Sequence, residues 1–261
     1  MTIRLLTRLA TMAVCTAAVA CGGGAPQDQA ATPAAPTAAA DTRPVAELGN
    51  STVSGVITFE GAVPAPRPVR MSSDPGCLPA GEGATSEALM VAEGGGLQNV
   101  FVYVKDGLGD ARFPVSTTPV ILDQDGCRYT PHVLGAQVGQ PVEIRNSDRT
   151  LHNVHTTPAT NRGFNFGQPA GVPAVTRTFD APEVMVPFKC DVHPWMSAYL
   201  GIVPHPFFAV SAADGRFEIP RLPAGTYTLE AWHEELGVQT MQITVDGTSP
   251  AEAAFTFKPA S

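Results

Sequence analysis

Of 261 residues, 25 are glycine and 25 proline, about 19% of the chain against roughly 12% in average usage, which excludes a fold organised by long helices. Hydrophobic residues make up 44% and charged ones 15%, so the chain can bury a core and is not wholly disordered. Sixteen Lys and Arg against 24 Asp and Glu give a net charge of −8 with only three lysines (Lys105, Lys189, Lys258), which excludes nucleic-acid binding through a clustered basic surface.

In chain order, residues 1–24 place Arg4 and Arg8 before an apolar run, followed by small residues around Cys21. Residues 1–20 therefore read as a secretory signal peptide, too short for a membrane span. The run Ala18-Val19-Ala20-Cys21 resembles a bacterial lipobox, with Ala18 where leucine is usual. The resemblance implies that Cys21 is lipidated and becomes the mature N-terminus; ordinary signal cleavage nearby is the alternative. Residues 22–48 are rich in Ala, Pro and Thr and almost free of bulky apolar side chains. Nothing there offsets the entropy of ordering the chain, so residues 21–48 read as a lipid-anchored disordered tether. The expected location is the bacterial periplasm or cell surface, with lipid as the only membrane contact.

From Ser51 onward the sequence breaks into short β-branched and aromatic runs at 53–59, 97–104, 120–123, 141–145, 184–188, 207–211, 216–219, 226–233, 239–245 and 253–257. Several alternate polar and apolar, the pattern of a strand with one buried face. Asp-Gly pairs at 106–107, 125–126, 214–215 and 246–247 supply tight turns. Many short strands with frequent turns predict an all-β protein of one or two sandwiches.

The six histidines (His132, His152, His155, His193, His205, His233) all lie in the second half. Residues Cys190, His193 and Met196 have the spacing C-x2-H-x2-M, which gathers a thiolate, an imidazole and a thioether into seven residues. These are soft or borderline donors; carboxylates that would favour magnesium or calcium are not the repeated element, and zinc seldom recruits methionine. One thiolate, two imidazoles and a weak axial thioether define an electron-transfer copper site, so a second histidine is needed.

It is found about forty residues upstream, in Val142 to His155, which ends His152-Asn153-Val154-His155. With Cys190-x-x-His193-Pro194-Trp195-Met196, Tyr129-Thr130-Pro131 and Val138-Gly139-Gln140-Pro141, this region resembles the cupredoxin family over roughly residues 127–204. The resemblance implies a Greek-key β-sandwich, one type 1 copper, and ligand roles for His152, Cys190, His193 and Met196. It implies supporting roles for Asn153, whose amide would hydrogen-bond the Cys190 thiolate, and for Pro194. It further implies that His193 lies near the surface as an electron port, with Pro194, Trp195, Ala198 and Tyr199 as docking surface. His155 competes for the upstream ligand position, but period-two geometry points residues 152 and 155 to opposite strand faces. His132, His155, His205 and His233 are either packing residues or a second metal or substrate site.

The stretch Asp214-Gly215-Arg216-Phe217-Glu218-Ile219 to Leu229 resembles carboxypeptidase-regulatory-like, transthyretin-like β modules. The expected organisation is a copper domain over 49–204, with its core at 118–204, and a smaller β module over 205–258. Segment 49–110 either belongs to the copper domain or completes the C-terminal module around an inserted copper domain. Cysteine arithmetic fits: Cys15 leaves with the signal peptide, Cys21 carries lipid, Cys190 binds copper, and Cys77 and Cys127 remain as a disulfide pair suited to an oxidising compartment. The expected function is a tethered single-electron carrier serving a redox donor and acceptor, with no catalysis of its own. Copper scavenging or delivery, and an adhesion or glycan-binding module with a structural metal, are the rival expectations.

Overall fold

A computed structural model describes residues 45–71 and 74–259. The expected signal peptide, Cys21 and most of the expected tether lie outside the described residues. Where the expected tether ends, the structure corrects it: Ala46 and Leu48 pack against a hydrophobic core, and the Ala46 amide donates to Arg112 O at 2.7 Å. Two apolar side chains and a backbone partner are enough to order this stretch.

Among the described residues sixteen strands run in the order β1 (Ser51–Phe59), β2 (Phe101–Asp106), β3 (Val120–Gln124), β4 (Tyr129–Thr130), β5 (Val133–Gln137), β6 (Val142–Asn146), β7 (His152–Thr156), β8 (Asn165–Gln168), β9 (Val175–Arg177), β10 (Glu183–Lys189), β11 (Ser197–Val203), β12 (Phe208–Val210), β13 (Arg216–Leu222), β14 (Gly225–His233), β15 (Gly237–Val245) and β16 (Ala251–Phe257). The protein is all-β, as its turn-rich composition requires.

The strands form two pairs of sheets. In the first, β5-β11-β10-β7-β8 faces β4-β3-β6-β9 across a core that includes Leu122, Ile144, Val154, Phe188 and Leu200. In the second, β13-β1-β16 faces β12-β2-β14-β15 across Val53, Ile57, Val102, Phe207, Leu229 and Phe255. Thus β1 and β2 pair with C-terminal strands: β1 runs antiparallel to β13 and parallel to β16, and β2 lies between β12 and β14. Strands β3 to β11 fall between them in sequence. Alternating burial decides this pairing, because residues 53, 57 and 59 on one face of β1 need apolar partners, and β13 and β16 present them on the same face.

The two sandwiches meet at a third apolar cluster built on Phe101, Tyr103, Val133, Met185 and Val203. Its centre is a glycine-lined furrow. Gly135 of β5 and Gly201 of β11 are register partners, and a Cβ added to Gly201 would come within 2.4 Å of the Phe101 ring. A Cβ on Gly135 would meet the Phe208 ring at 2.5 Å. The missing side chains are what let Phe101 and Phe208 seat against the sheet.

A carboxylate also crosses this junction. His132, just before β5, hydrogen-bonds Glu234 of the β14–β15 turn through Nε2 at 2.5 Å and Ser197 O through Nδ1 at 3.0 Å. Burial alone would lower the His132 pKa, but the bond to Glu234 and its charge outweigh burial and hold it above the ordinary imidazole value. A raised folded-state pKa contributes stability below about pH 6.5 that is lost as pH rises through the folded value. We therefore expect metal-free protein to lose stability on that rise. Urea midpoints measured across this range check it, and Glu234→Gln should flatten the dependence.

Candidate metal centre

Strand β7 alternates buried and partly buried residues, so His152 is directed into the first sandwich (0% exposed) while His155 is turned toward solvent. The loop between β10 and β11 closes on itself: the Cys190 amide donates to Met196 O at 3.2 Å and the Met196 amide to His193 O at 2.9 Å. This tight turn places Cys190 (2% exposed), His193 (1%) and Met196 (1%) inside one end of the core. Tyr129 ties β7 to the end of β10, its hydroxyl donating to Asn153 O at 2.5 Å and to Lys189 O at 3.1 Å. Burial, followed by the neighbouring Cys190, pushes the Tyr129 phenol pKa far up, so it remains a donor.

His152, Cys190 and His193 bring one donor atom each within 4.8 Å of one another. His152 Nδ1 lies 2.9 Å from His193 Nδ1, and His193 Nδ1 lies 3.8 Å from Cys190 Sγ. Donors each about 2.0–2.3 Å from a common centre stand roughly 3–4 Å apart, so the trio fits a transition metal. Two backbone amides, those of Asn153 and His193, donate to Cys190 Sγ, each at 3.3 Å.

The outer ring nitrogens sharpen the point. His152 Nε2 lies 2.8 Å from Asp148 Oδ2, and His193 Nε2 lies 3.0 Å from Asp74 Oδ2. If both Nε2 atoms carry the proton these carboxylates ask for, both Nδ1 lone pairs face each other at 2.9 Å. That arrangement is repulsive unless a cation, a proton or a metal, sits between them. Burial, ahead of every other cause, holds the His152 pKa below the ordinary value and so favours the neutral imidazole that a metal needs. The Asp74 carboxyl is held low first by the Gly76 amide and then by the Thr150 hydroxyl.

The structure corrects the expected electron port. His193 is enclosed: Asp74 caps Nε2, Cys77 Sγ lies 3.9 Å from the same nitrogen, and the Trp195 ring lies 4.9 Å away, centroid to centroid. Ala198 is buried in the first core, and Tyr199 packs at the junction between sandwiches, so neither is docking surface. The cause is the segment between β1 and β2, which brings a 3-10 turn (Pro75–Cys77) and the four-residue α1 (Leu78–Gly81) over this end of the sandwich. Cys77 and Cys127 form a disulfide, and Cys190 is the free cysteine among the described residues.

The remaining histidines are not brought together. His155 pairs with Asp191 at 2.8 Å on the surface, and His132 pairs with Glu234. His205 Nε2 donates to Val104 O at 2.8 Å, and His233 Nδ1 accepts the amides of Glu235 and Leu236 within its own turn. Burial takes the His205 and His233 pKa values down to about 4, so both are neutral packing residues near pH 7. None of these four joins a trio of metal-capable donors among the described residues. Pro194 lies in the ligand loop between His193 and Trp195.

Sequence reasoning missed Asp74, Asp148 and Thr150. Asp148 stands four residues before His152 in an Asn-Ser-Asp turn, a spacing that could have suggested a carboxylate behind the histidine. Asp74 is 119 residues from His193, and no local pattern announces it.

Residues 206–252 match the model of polysaccharide lyase family 4, domain II. This replaces the carboxypeptidase-regulatory-like resemblance; the Asp-Gly turn and the strand alternation behind that resemblance are shared by many β-sandwiches. No curated protein matches the chain. Among solved structures, a Cu(I) amicyanin variant is 19% identical, covering 39% of this chain and 97% of its own length, at a TM-score of 0.29. A purple cupredoxin from Nitrosopumilus maritimus is 20% identical, covering 33% of this chain and 98% of its own, at 0.28. A copper-containing nitrite reductase from Thermus scotoductus SA-01 is 20% identical over 37% of this chain, at 0.31, and this chain spans a quarter of that enzyme's length.

Proposed function

We propose that this protein carries single electrons on one type 1 copper, passing them between a redox donor and a redox acceptor rather than catalysing a reaction. The observation that carries the reading is the buried trio of His152 Nδ1, His193 Nδ1 and Cys190 Sγ, with two amides aimed at the sulfur. Copper held there would supply one-electron chemistry between Cu(II) and Cu(I). His152 and His193 would hold copper through nitrogens whose rings are fixed from behind, Cys190 through its sulfur, and the buried Met196 would add a thioether donor. Because the donors are buried and braced, neither oxidation state can pull them far, and little rearrangement separates the two. The signal pattern, the lipobox-like Cys21 and the disulfide together support a lipoprotein tethered in the periplasm.

The visible spectrum of copper-loaded protein tests the function. An intense thiolate-to-copper band and reversible one-electron reduction are expected. A colourless complex, or one that surrenders copper to a chelator at once, would instead mark a copper carrier. Met196→Gln should keep copper and replace a soft thioether by a harder amide oxygen, lowering the reduction potential by about 60 mV or more, a tenfold change in the redox equilibrium. Voltammetry of the variant decides whether Met196 is a copper donor.

A further inference from the structure

We propose that Asp74 and Asp148 are positioning residues for the two ligand imidazoles, and that the Cys77–Cys127 disulfide joins them into one brace that governs how firmly the metal is held. This rests on the copper reading above, but its geometry stands without the metal.

Each half of the disulfide lies in a turn bonded to one of the two carboxylates. Asp74 caps the turn that carries Cys77: its Oδ1 accepts the Gly76 amide at 2.7 Å, and its carbonyl accepts the Cys77 amide at 3.0 Å. Asp74 Oδ2 accepts the Thr150 hydroxyl at 2.9 Å and faces His193 Nε2. Asp148 grips the turn that carries Cys127: Oδ1 accepts the Gly126 amide at 2.9 Å, and Oδ2 accepts the Cys127 amide at 2.8 Å while facing His152 Nε2. Thr150 lies between Asp148 and His152 in sequence, so its bond to Asp74 closes the circuit on the protein side. Trp195 closes it over the imidazole, its indole donating to Cys127 O at 3.0 Å.

The circuit therefore runs from His193 to Asp74, through the disulfide to the Cys127 turn, and through Asp148 to His152. As a disulfide, neither sulfur is a thiolate ligand, although Cys77 Sγ lies 3.9 Å from the His193 ring. What the bond contributes is position. The Cys77 turn belongs to the connection between two strands of the second sandwich, and Cys127 to the first, 50 residues apart. Without the covalent tie, Asp74 is held over His193 by Thr150 and the ring itself, and its segment by Arg128, which donates to Glu87 and to Thr85 O. Its side chain is 22% exposed, so water can compete for it.

A carboxylate behind a ligand imidazole fixes the tautomer and ring orientation and makes the inner nitrogen a better donor, and removing such a partner typically costs about 10–100-fold in metal affinity. It also stabilises Cu(II) over Cu(I), so its loss should raise the potential. The test uses full-length copper-loaded protein and transfer of Cu(I) to a colorimetric chelator. Asp74→Ala should transfer copper about 10–100-fold faster and at a higher potential, with Asp74→Asn, which keeps an acceptor oxygen, intermediate. Cys77→Ser with Cys127→Ser should reproduce the faster transfer, and combining it with Asp74→Ala should add little, because both act through one hydrogen bond. Unchanged rate and potential in Asp74→Ala, or full multiplication of the two effects, overturns the brace.

The metal-free protein separates this outcome from failure of the copper reading. By NMR, slowly exchanging Nε2–H protons are expected on both His152 and His193, with only that of His193 lost in Asp74→Ala. Their absence from the parent protein, or persistence on His193 in the variant, overturns the brace whether or not copper binds.

Discussion

Serine in place of Cys190 should abolish the intense visible band and weaken copper binding by roughly a thousandfold, while leaving the metal-free fold nearly as stable as before. The first effect follows from the donor set: the sulfur supplies the only anionic donor of the trio, and losing one strong ligand removes a few kcal/mol from a binding energy that reaches about 10–16 kcal/mol in structural metal sites. The second follows from the surroundings. The sulfur accepts from the Asn153 and His193 amides, and a serine oxygen can accept from the same two, so no buried donor is orphaned. Copper titration and urea unfolding of the same variant read the two effects separately. A Cys190→Ser protein that keeps its band would remove Cys190 from the site.

The second large effect lies away from the metal. Phe101→Ala should cost about 3–5 kcal/mol, because the ring is fully buried at the junction and its loss leaves a cavity between two sheets that cannot close on it. The reciprocal change, Gly201→Ala, places a methyl where the Phe101 ring already stands, at 2.4–2.8 Å, and should cost about 1–3 kcal/mol. The two are in contact, so their costs should not add, and Phe101→Leu should partly relieve Gly201→Ala. Urea midpoints of the three proteins and the combined variant check this; strict additivity would show that the furrow is not the point of contact. Because Phe101 belongs to β2 and Gly201 to β11, the cost measures the docking of one sandwich on the other.

Much of the fold was legible in the sequence. Short β-branched and aromatic runs marked ten of the sixteen described strands but not β4, β5, β7, β8, β9 or β11, and the run 239–245 extends in the structure to Gly237. The all-β class followed from turn density. Of the centre, Cys190, His193 and Met196 were legible because their spacing gathers them in a single tight loop, whereas His152 was assigned through the cupredoxin resemblance, with alternation separating it from His155. The electron port was misread. Exposure depends on what covers a residue, and the cover over His193 comes from a turn more than a hundred residues away in sequence.

Local pattern carried the faces of the alternating strands and the tight loop of soft donors, and cysteine arithmetic anticipated the Cys77–Cys127 disulfide. Only tertiary packing shows that β1 and β2 complete the C-terminal sheets, that glycines at 135 and 201 receive two phenylalanines from the other sandwich, and that Asp74 and Asp148 stand behind His193 and His152. The physical reason is range. Hydrophobic alternation and loop geometry act over a few residues and leave a local pattern, whereas a single carboxylate positioned by chain folding needs only one residue and leaves none.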